Sequence, residues 1–453
     1  MGQTEQTRFL HFSFRTYLTQ MAVTLLGGVI MIVTARVLGP AGKGMLTLLV
    51  MIPVLAIALL HLGIGQATIF YAPRVTHAAL VATSTAMIVV IGFLAVLLAL
   101  PVVLGLRHLV FRGIPAGWLI FMCTVIPIVL LYDLFTALFQ ALYRINRRNL
   151  LILAFPAFNL ILFLLLVVNW KMGVKGGMIA WALAFVLTVI IGLGQLVPVM
   201  APARIHFDFE LGRGLLGFGV RSYWGSLLNL LNSRFDFFLV GLYLSPAKVG
   251  FYAVAVYVAE LLWKLPESVC IVLQPRVAQL PEAEARYFTP RVLRLLMPLL
   301  LLIAMLIAIF SGPIVRILFG TSFSDSVPVL LILLPGFLAN AVCKILSSDL
   351  LARGHPLKYS ATSALAFLTM LLFDLLLIPR FGIRGAALAS VIAYFLASLA
   401  MIILYLRVTD IPLRILFLPG PNDQGFLRDA ATVIRFIMHG SWQEPSSIKN
   451  KKT

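Results

Sequence analysis

Apolar runs of about 20 residues recur from one end of the 453-residue chain to the other, divided by short stretches holding Pro, Gly and charge. A run of that length crosses the ~30 Å hydrocarbon core of a bilayer as a helix. Twelve such spans are predicted, over 14–36, 45–70, 78–105, 117–142, 150–169, 174–200, 214–243, 249–273, 291–311, 326–351, 357–379 and 383–406. The predicted fold is therefore all-α and integral to the membrane. After residue 407 the chain turns polar and basic. Within that tail, Phe426, Leu427, Ala430, Val433, Ile434, Ile437 and Met438 share one helical face opposite Arg428, Asp429, Thr432 and Arg435. This pattern predicts an amphipathic helix, lying on the inner membrane surface or packed on the membrane domain.

The spans repeat. A shift of 206 residues superposes Arg15 on Arg221, Tyr17 on Tyr223, Pro40 on Pro246, Ala41 on Ala247 and Gly44 on Gly250. A shift of 209 superposes "GVKGGMIAWAL" at 173 on "GIRGAALASVI" at 382. Each half holds six spans, an even number, so the repeat is parallel and not inverted. The expected organisation is two six-helix bundles, 1–205 and 206–406, followed by a cytoplasmic tail, 407–453. Paired bundles related by an axis along the membrane normal are a transporter architecture, with the site between them near the midplane.

Polar residues inside the spans are the candidates for that site. In span 7, Ser222, Gly225, Ser226, Asn229, Asn232, Ser233 and Asp236 share one helical face, with Arg221 at its edge. Small and polar residues can glue helices together. Two asparagines and an aspartate on the same face favour the wall of a wet cavity, since ionisable groups facing lipid are expensive. Arg234 and Asp236 are two residues apart and cannot pair as helix neighbours. In span 8, Glu260, Lys264 and Glu267 fall at i, i+4 and i+7 with Tyr257, the spacing of a salt-bridge ladder, and Pro266 is expected to bend the helix. Span 1 carries Arg15, Thr16, Thr19, Gln20 and Thr24, and span 2 carries His61 and Gln66. A single intramembrane histidine is more often a packed group than a proton carrier. Span 4 carries Asp133 and span 10 carries Lys344 at corresponding places in the two halves, where a pair between bundles is conceivable. Asp374 in span 11 is expected near a helix end, at the interface.

Composition narrows the function. With 61% hydrophobic and 11% charged residues the chain is no soluble domain. A formal charge of +19 could suggest nucleic acid, but in a membrane chain it reads as basic cytoplasmic loops. With both termini inside, and with residues near a span end counted in the loop they adjoin, 21 of the 35 Lys and Arg lie on the cytoplasmic side, 10 outside and 4 deep within spans. Cys123, Cys270 and Cys343 all fall in spans and make no disulfide framework or metal spacing. No metalloprotease, nucleophile-elbow or phosphate-loop motif is present, and no cofactor or metal site is expected. A membrane-embedded glycan ligase is the enzymatic alternative. It would need a large outer loop or a cluster of loop carboxylates, and Asp325 is the one acid in any predicted outer loop.

"ARVLGPAGKGMLTLL", "DFFLVGLYLSPAKVGFYAVAVYVAELLWKLP", "LLARGHPLKYS" and "LLLIPRFGIRGAALASVIAY" together resemble the polysaccharide transporter branch, including O-antigen flippases, of the multidrug/oligosaccharidyl-lipid/polysaccharide (MOP) exporter superfamily. The likeness covers residues 10 to 406. It implies two bundles in a V, with spans 1, 2, 7 and 8 lining a cavity, in the bacterial cytoplasmic membrane with both termini cytoplasmic. It also implies movement of polyprenyl-pyrophosphate-linked sugars from inner to outer leaflet, with cavity cations on the pyrophosphate. At matching spans those are Arg15, Arg221, Arg234 and Lys264. Asn229, Asn232 and Tyr257 would then solvate sugar hydroxyls. Asp133, Asp236 and Glu260 are the candidates for coupling to H+ or Na+. The expected partners are the lipid-linked oligosaccharide and membrane lipids, the expected state a monomer. A cation-coupled multidrug antiporter of the same superfamily is the alternative. It would carry a cavity of carboxylates and aromatics, whereas spans 1, 7 and 8 hold four basic residues (15, 221, 234, 264) against three acidic ones (236, 260, 267).

Overall fold

The computed structural model describes residues 3–200 and 207–418. The first element, α1 (Gln3–Leu60), is two helices meeting at a corner, where Gly39 takes φ 66° and ψ −179°. Pro40 opens the second helix, a position where its missing N–H leaves no bond unmade. After a break at His61–Gly63 the chain resumes in α2 (Ile64–Tyr71). Then come α3 (His77–Gly105), capped by the Thr76 hydroxyl, α4 (Ala116–Thr124), α5 (Ile126–Ala141), α6 (Ile145–Phe163) with a wide final turn, and α7 (Gly173–Met200). The second half begins with α8 (Phe209–Tyr243), where the Asp208 carboxylate accepts from the Leu211 N–H at 3.0 Å. Helices α9 (Pro246–Glu260) and α10 (Lys264–Gln279) are joined by a tight turn over Leu261–Trp263. Pro266 causes that turn: it offers no N–H to the Leu262 carbonyl and its ring crowds it. The remaining helices are α11 (Glu282–Ile309), α12 (Ser311–Phe319), α13 (Ser326–Ala352), α14 (Pro356–Phe381), α15 (Ile383–Thr409) and α16 (Leu413–Phe417).

The predicted spans fall mostly on helix, but span 2 is broken at His61–Gly63 and span 8 at Leu261–Trp263. Among the described residues, nine elements are long and apolar enough to cross a membrane. The one at Leu18–Leu60 covers most of spans 1 and 2, and span 2 runs on past the break at His61–Gly63 into α2. Spans 7 and 8 are not among the nine, because α8 is too polar and α9 and α10 are each short. The expected amphipathic helix after 419 lies outside the described residues.

Residues matched by the sequence repeat behave alike. Gly173 and Gly382 both take left-handed backbone, φ 58° and 61°, at the starts of α7 and α15. Three residues on, Gly176 and Gly385 each press against a carbonyl of the preceding segment, Leu166 and Leu377. The contact between α1 and α9 is also reciprocal. A Cβ on Gly44 would meet the Pro246 carbonyl oxygen at 1.6 Å, and a Cβ on Gly250 would meet that of Pro40 at 2.1 Å. Thus α1 crosses α9 with backbone touching backbone.

Elsewhere the packing also relies on small residues. Ala386, Ala387, Ala389, Ser390, Ala393 and Ala397 on α15 are buried where it packs against α13 and α14. In lipid there is little hydrophobic gain from helix association, so close approach through small side chains supplies the contact energy.

Candidate functional site

Helix α8 divides its polar residues between two environments. Gly225 faces α14, where the Ser360 hydroxyl is 3.0 Å from its ideal Cβ position. Asp236 is buried behind it, accepting from Tyr252 Oη at 2.7 Å and from the Phe237 N–H at 2.8 Å. Two residues of the expected cavity stripe therefore bind helix to helix. Ser222, nearer the N-terminus of α8, is exposed and meets Gln66 of α2 at 3.3 Å. Asn232 is partly buried, its Oδ1 closed off without a hydrogen-bond partner among the described residues. The side chain of Asn229 lies outside those described. Arg234 turns away from Asp236 and pairs with Glu260 of α9 at 2.9 Å.

The Asp236 pocket contains a residue the sequence reading placed at the interface. Asp374 of α14 is fully buried, and neither carboxylate oxygen has a hydrogen-bond partner among the described residues. It interacts electrostatically with Asp236 and Tyr252, while Tyr252 Oη also lies 3.3 Å from Ser390 Oγ. Two carboxylates, a phenol and a hydroxyl from α8, α9, α14 and α15 thus converge with too few donors for their acceptors. A small cation, H+ or Na+, would supply what is missing. The sequence signal was present: an ionisable group within a span is a functional candidate by default. Asp374→Leu is expected to raise the melting temperature in detergent, because a buried polar group without a partner costs about 1–3 kcal/mol.

Span 8 pairs differently from the expected ladder. Glu260 goes to Arg234, and Glu267 is shared by Lys264 at 3.2 Å and Lys344 of α13 at 2.9 Å. Lys344 also lies over the Trp263 ring, 4.5 Å from its centre. Two ammonium groups therefore divide one carboxylate. Arg15 and Arg221, the repeat-matched pair, are both exposed and make no ion pair among the described residues. Tyr257 lays its hydroxyl against Gly28 of α1. Beyond that point α10 packs on α13.

In the first half Asp133 pairs with His61, not with Lys344. His61 Nε2 is 2.8 Å from Asp133 Oδ2. The distance is that of an ion pair, although the ring N–H is not aligned for a hydrogen bond.

The model of the family described as "Polysaccharide biosynthesis protein" matches residues 33–328, more than half of the chain. The chain belongs to that family. The chain is 26% identical over 191 residues to the "Probable low-salt glycan biosynthesis flippase Agl15" of Haloferax volcanii, covering 41% of the chain and 40% of the relative. It is 26% identical over 213 residues to the "Putative O-antigen transporter" of Shigella flexneri, covering 46% and 50%. The chain thus spans half or less of the length of these curated relatives. Its fold is that of the MOP superfamily. An inward-facing MATE-family multidrug resistance transporter matches with a TM-score of 0.70 at 15% identity, over 86% of this chain and 94% of that one. The lipid II flippase MurJ, in an inward closed conformation, matches with a TM-score of 0.70 at 13% identity, over 96% and 93%.

Proposed function

We propose that this membrane protein is a flippase that moves a polyprenyl-pyrophosphate-linked oligosaccharide from the inner to the outer leaflet of the bacterial cytoplasmic membrane. The observation that carries the reading is the surplus of positive charge on α1, α8 and α10. Glu260 is engaged by Arg234, Glu267 is divided between Lys264 and Lys344, and Arg15 and Arg221 have no carboxylate among the described residues. A pyrophosphate is the natural counter-ion for two guanidinium groups, which bind phosphate oxygens through paired, charge-assisted hydrogen bonds. The names of the relatives support a transporter and not an enzyme.

In this reading twelve spans form two bundles, 1–205 and 206–406, with both termini cytoplasmic. The bundles rock about the α1–α9 crossing. Arg15 and Arg221 receive the head group where α1 and α10 part, with Lys264 beside them. Asn229, Asn232 and Tyr257 meet the sugars, and the polyprenyl chain stays in lipid. Negative charge leaving a negative interior gains about 2.3 kcal/mol per charge per 100 mV. A cation bound at Asp236 and Asp374 couples its own gradient to the cycle. Arg234 and Glu260 keep each other neutral beside the path.

The test is flipping of a fluorescent polyprenyl-pyrophosphate-linked sugar in proteoliposomes. Arg221→Ala and Arg15→Ala should each slow it about 10- to 100-fold, the equivalent of one lost charge-assisted bond of 1.5–3 kcal/mol. Melting should be unchanged, since both side chains are exposed. Wild-type protein that leaves this lipid in place but exchanges a cationic drug for H+ or Na+ would be the antiporter instead.

A further inference from the structure

The break between α1 and α2 is held in an unusual way. Leu62 and Gly63 both take left-handed backbone, φ 51° and 68°. For leucine that conformation costs about 1–2 kcal/mol, so its surroundings must impose it. Those surroundings include the other half of the protein. A Cβ on Gly63 would meet the Gly219 carbonyl oxygen of α8 at 2.4 Å, and one on Gly219 would meet that of Leu62 at 2.4 Å. The break also frees carbonyls at the end of α1, and Tyr223 of α8 donates its hydroxyl to one of them, Ala58, at 2.9 Å.

His61 stands at the centre of this contact. Its side chain is 8% exposed, with Nε2 2.8 Å from Asp133 Oδ2 of α5. Its ring centre is 5.6 Å from that of Tyr223. The Asp133 side chain is half exposed, which gives water a route to the pair. The other titratable and charged groups around it are few. Tyr223 comes from α8, Tyr132 adjoins Asp133 on α5, and Arg148 of α6 lies beyond Tyr132. Histidine is the side chain whose ordinary titration falls between about pH 5 and 8.

We propose that His61 and Asp133 form a proton-binding dyad whose occupancy sets the strength of the contact between α2 and α8. The covalent event is the uptake of one proton from water by neutral imidazole, giving an imidazolium with N–H on both nitrogens. With the proton bound, Asp133 and His61 are opposite charges in contact, and the break is clamped to α5 while α8 leans on it through Gly219 and Tyr223. With the proton lost, the carboxylate faces a neutral ring, the clamp weakens and α2 can swing away from α8. The contact is therefore strengthened while the proton is bound and loosened when it leaves. This site is separate from the Asp236–Asp374 pocket, lies in the other half, and would give the transporter a proton-sensitive step of its own. Its role in transport rests on the flippase reading, whereas the dyad itself does not.

Backbone hydrogen exchange of residues 57–66 in the purified full chain tests the dyad directly. After correction for intrinsic chemical exchange, wild type should lose protection about tenfold between pH 5.5 and 7.5, the ratio expected when a neutral contact replaces a charge-assisted one. His61→Gln and Asp133→Asn should lose that pH dependence while α13 and α15 stay protected. A pH-dependent loss in wild type that persists unchanged in both variants, or no such loss in wild type, would overturn the dyad. The flipping assay run over the same pH range completes the test. If wild type flips the lipid-linked sugar, its pH profile should flatten in His61→Gln, and an unaltered profile would remove the dyad from transport. If wild type does not flip it while the exchange result holds, the flippase reading fails and the proton site stands.

Discussion

Gly44→Ala is expected to reduce transport at least tenfold and to lower the melting temperature, although it adds a single methyl group. That carbon would sit 1.6 Å from the Pro246 carbonyl oxygen and 2.9 Å from the Gly250 nitrogen. Backbone cannot rotate away as a flexible side chain can, so the crossing of α1 over α9 must part. Overpacking usually costs about 1–3 kcal/mol, and a backbone clash of this depth should lie at or above the top of that range. Gly250→Ala should act in the same way through the Pro40 carbonyl, and Gly27→Ala provides the control, having nothing within 4 Å of its added carbon. The readouts are flipping in proteoliposomes and thermal melting in detergent. Wild-type behaviour of both Gly44→Ala and Gly250→Ala would show that the crossing is not a required contact.

Arg353→Ala should have a comparable effect on stability for an electrostatic reason. Asp349 is fully buried, and Arg353, itself 7% exposed, pairs with it one turn away along α13. Arg353 also reaches Glu282 of α11 at 2.5 Å, while Tyr405 of α15 donates to Asp349 Oδ2 at 3.2 Å. Removing the guanidinium strands a carboxylate in the interior, a change that costs about 3–5 kcal/mol. The double replacement Arg353→Met with Asp349→Leu should recover most of the loss, since well-packed apolar groups can substitute for a buried pair. A thermal melt of the two singles and the double measures the coupling. Near-additive losses would show that the two residues are not energetically paired.

The helical segments were legible because a membrane span announces itself by length and hydropathy, and the bend at Leu261–Trp263 follows from Pro266. What the sequence leaves open is which neighbour a polar face meets. Gly225 and Asp236 lie on the face that a helical wheel assigns to Asn232, yet Gly225 packs on α14 and Asp236 is enclosed by α9 and α15. Asp374 lies within two turns of the end of α14, as its place in the span suggests, yet it is buried among its neighbours. Ion pairing is equally invisible in one dimension. Glu260 has Lys264 at ideal helical spacing but takes Arg234, because the tight turn at Leu261–Trp263 rotates Lys264 away from it. The break at His61–Gly63 gives no warning beyond one glycine, and it needs Gly219 of the opposite half to hold it.

The reciprocal crossing has a mechanical consequence. Pro40 bears on Gly250 and Pro246 bears on Gly44, so the two contacts act as clasps in parallel on one pair of helices. Parting the two helices along their whole crossing means breaking both contacts. Tightly packed interfaces tend to be bistable, not continuously deformable. A doubled clasp holds the two helices at two points at once, which suits the crossing to the fulcrum proposed above and not to a seam that opens.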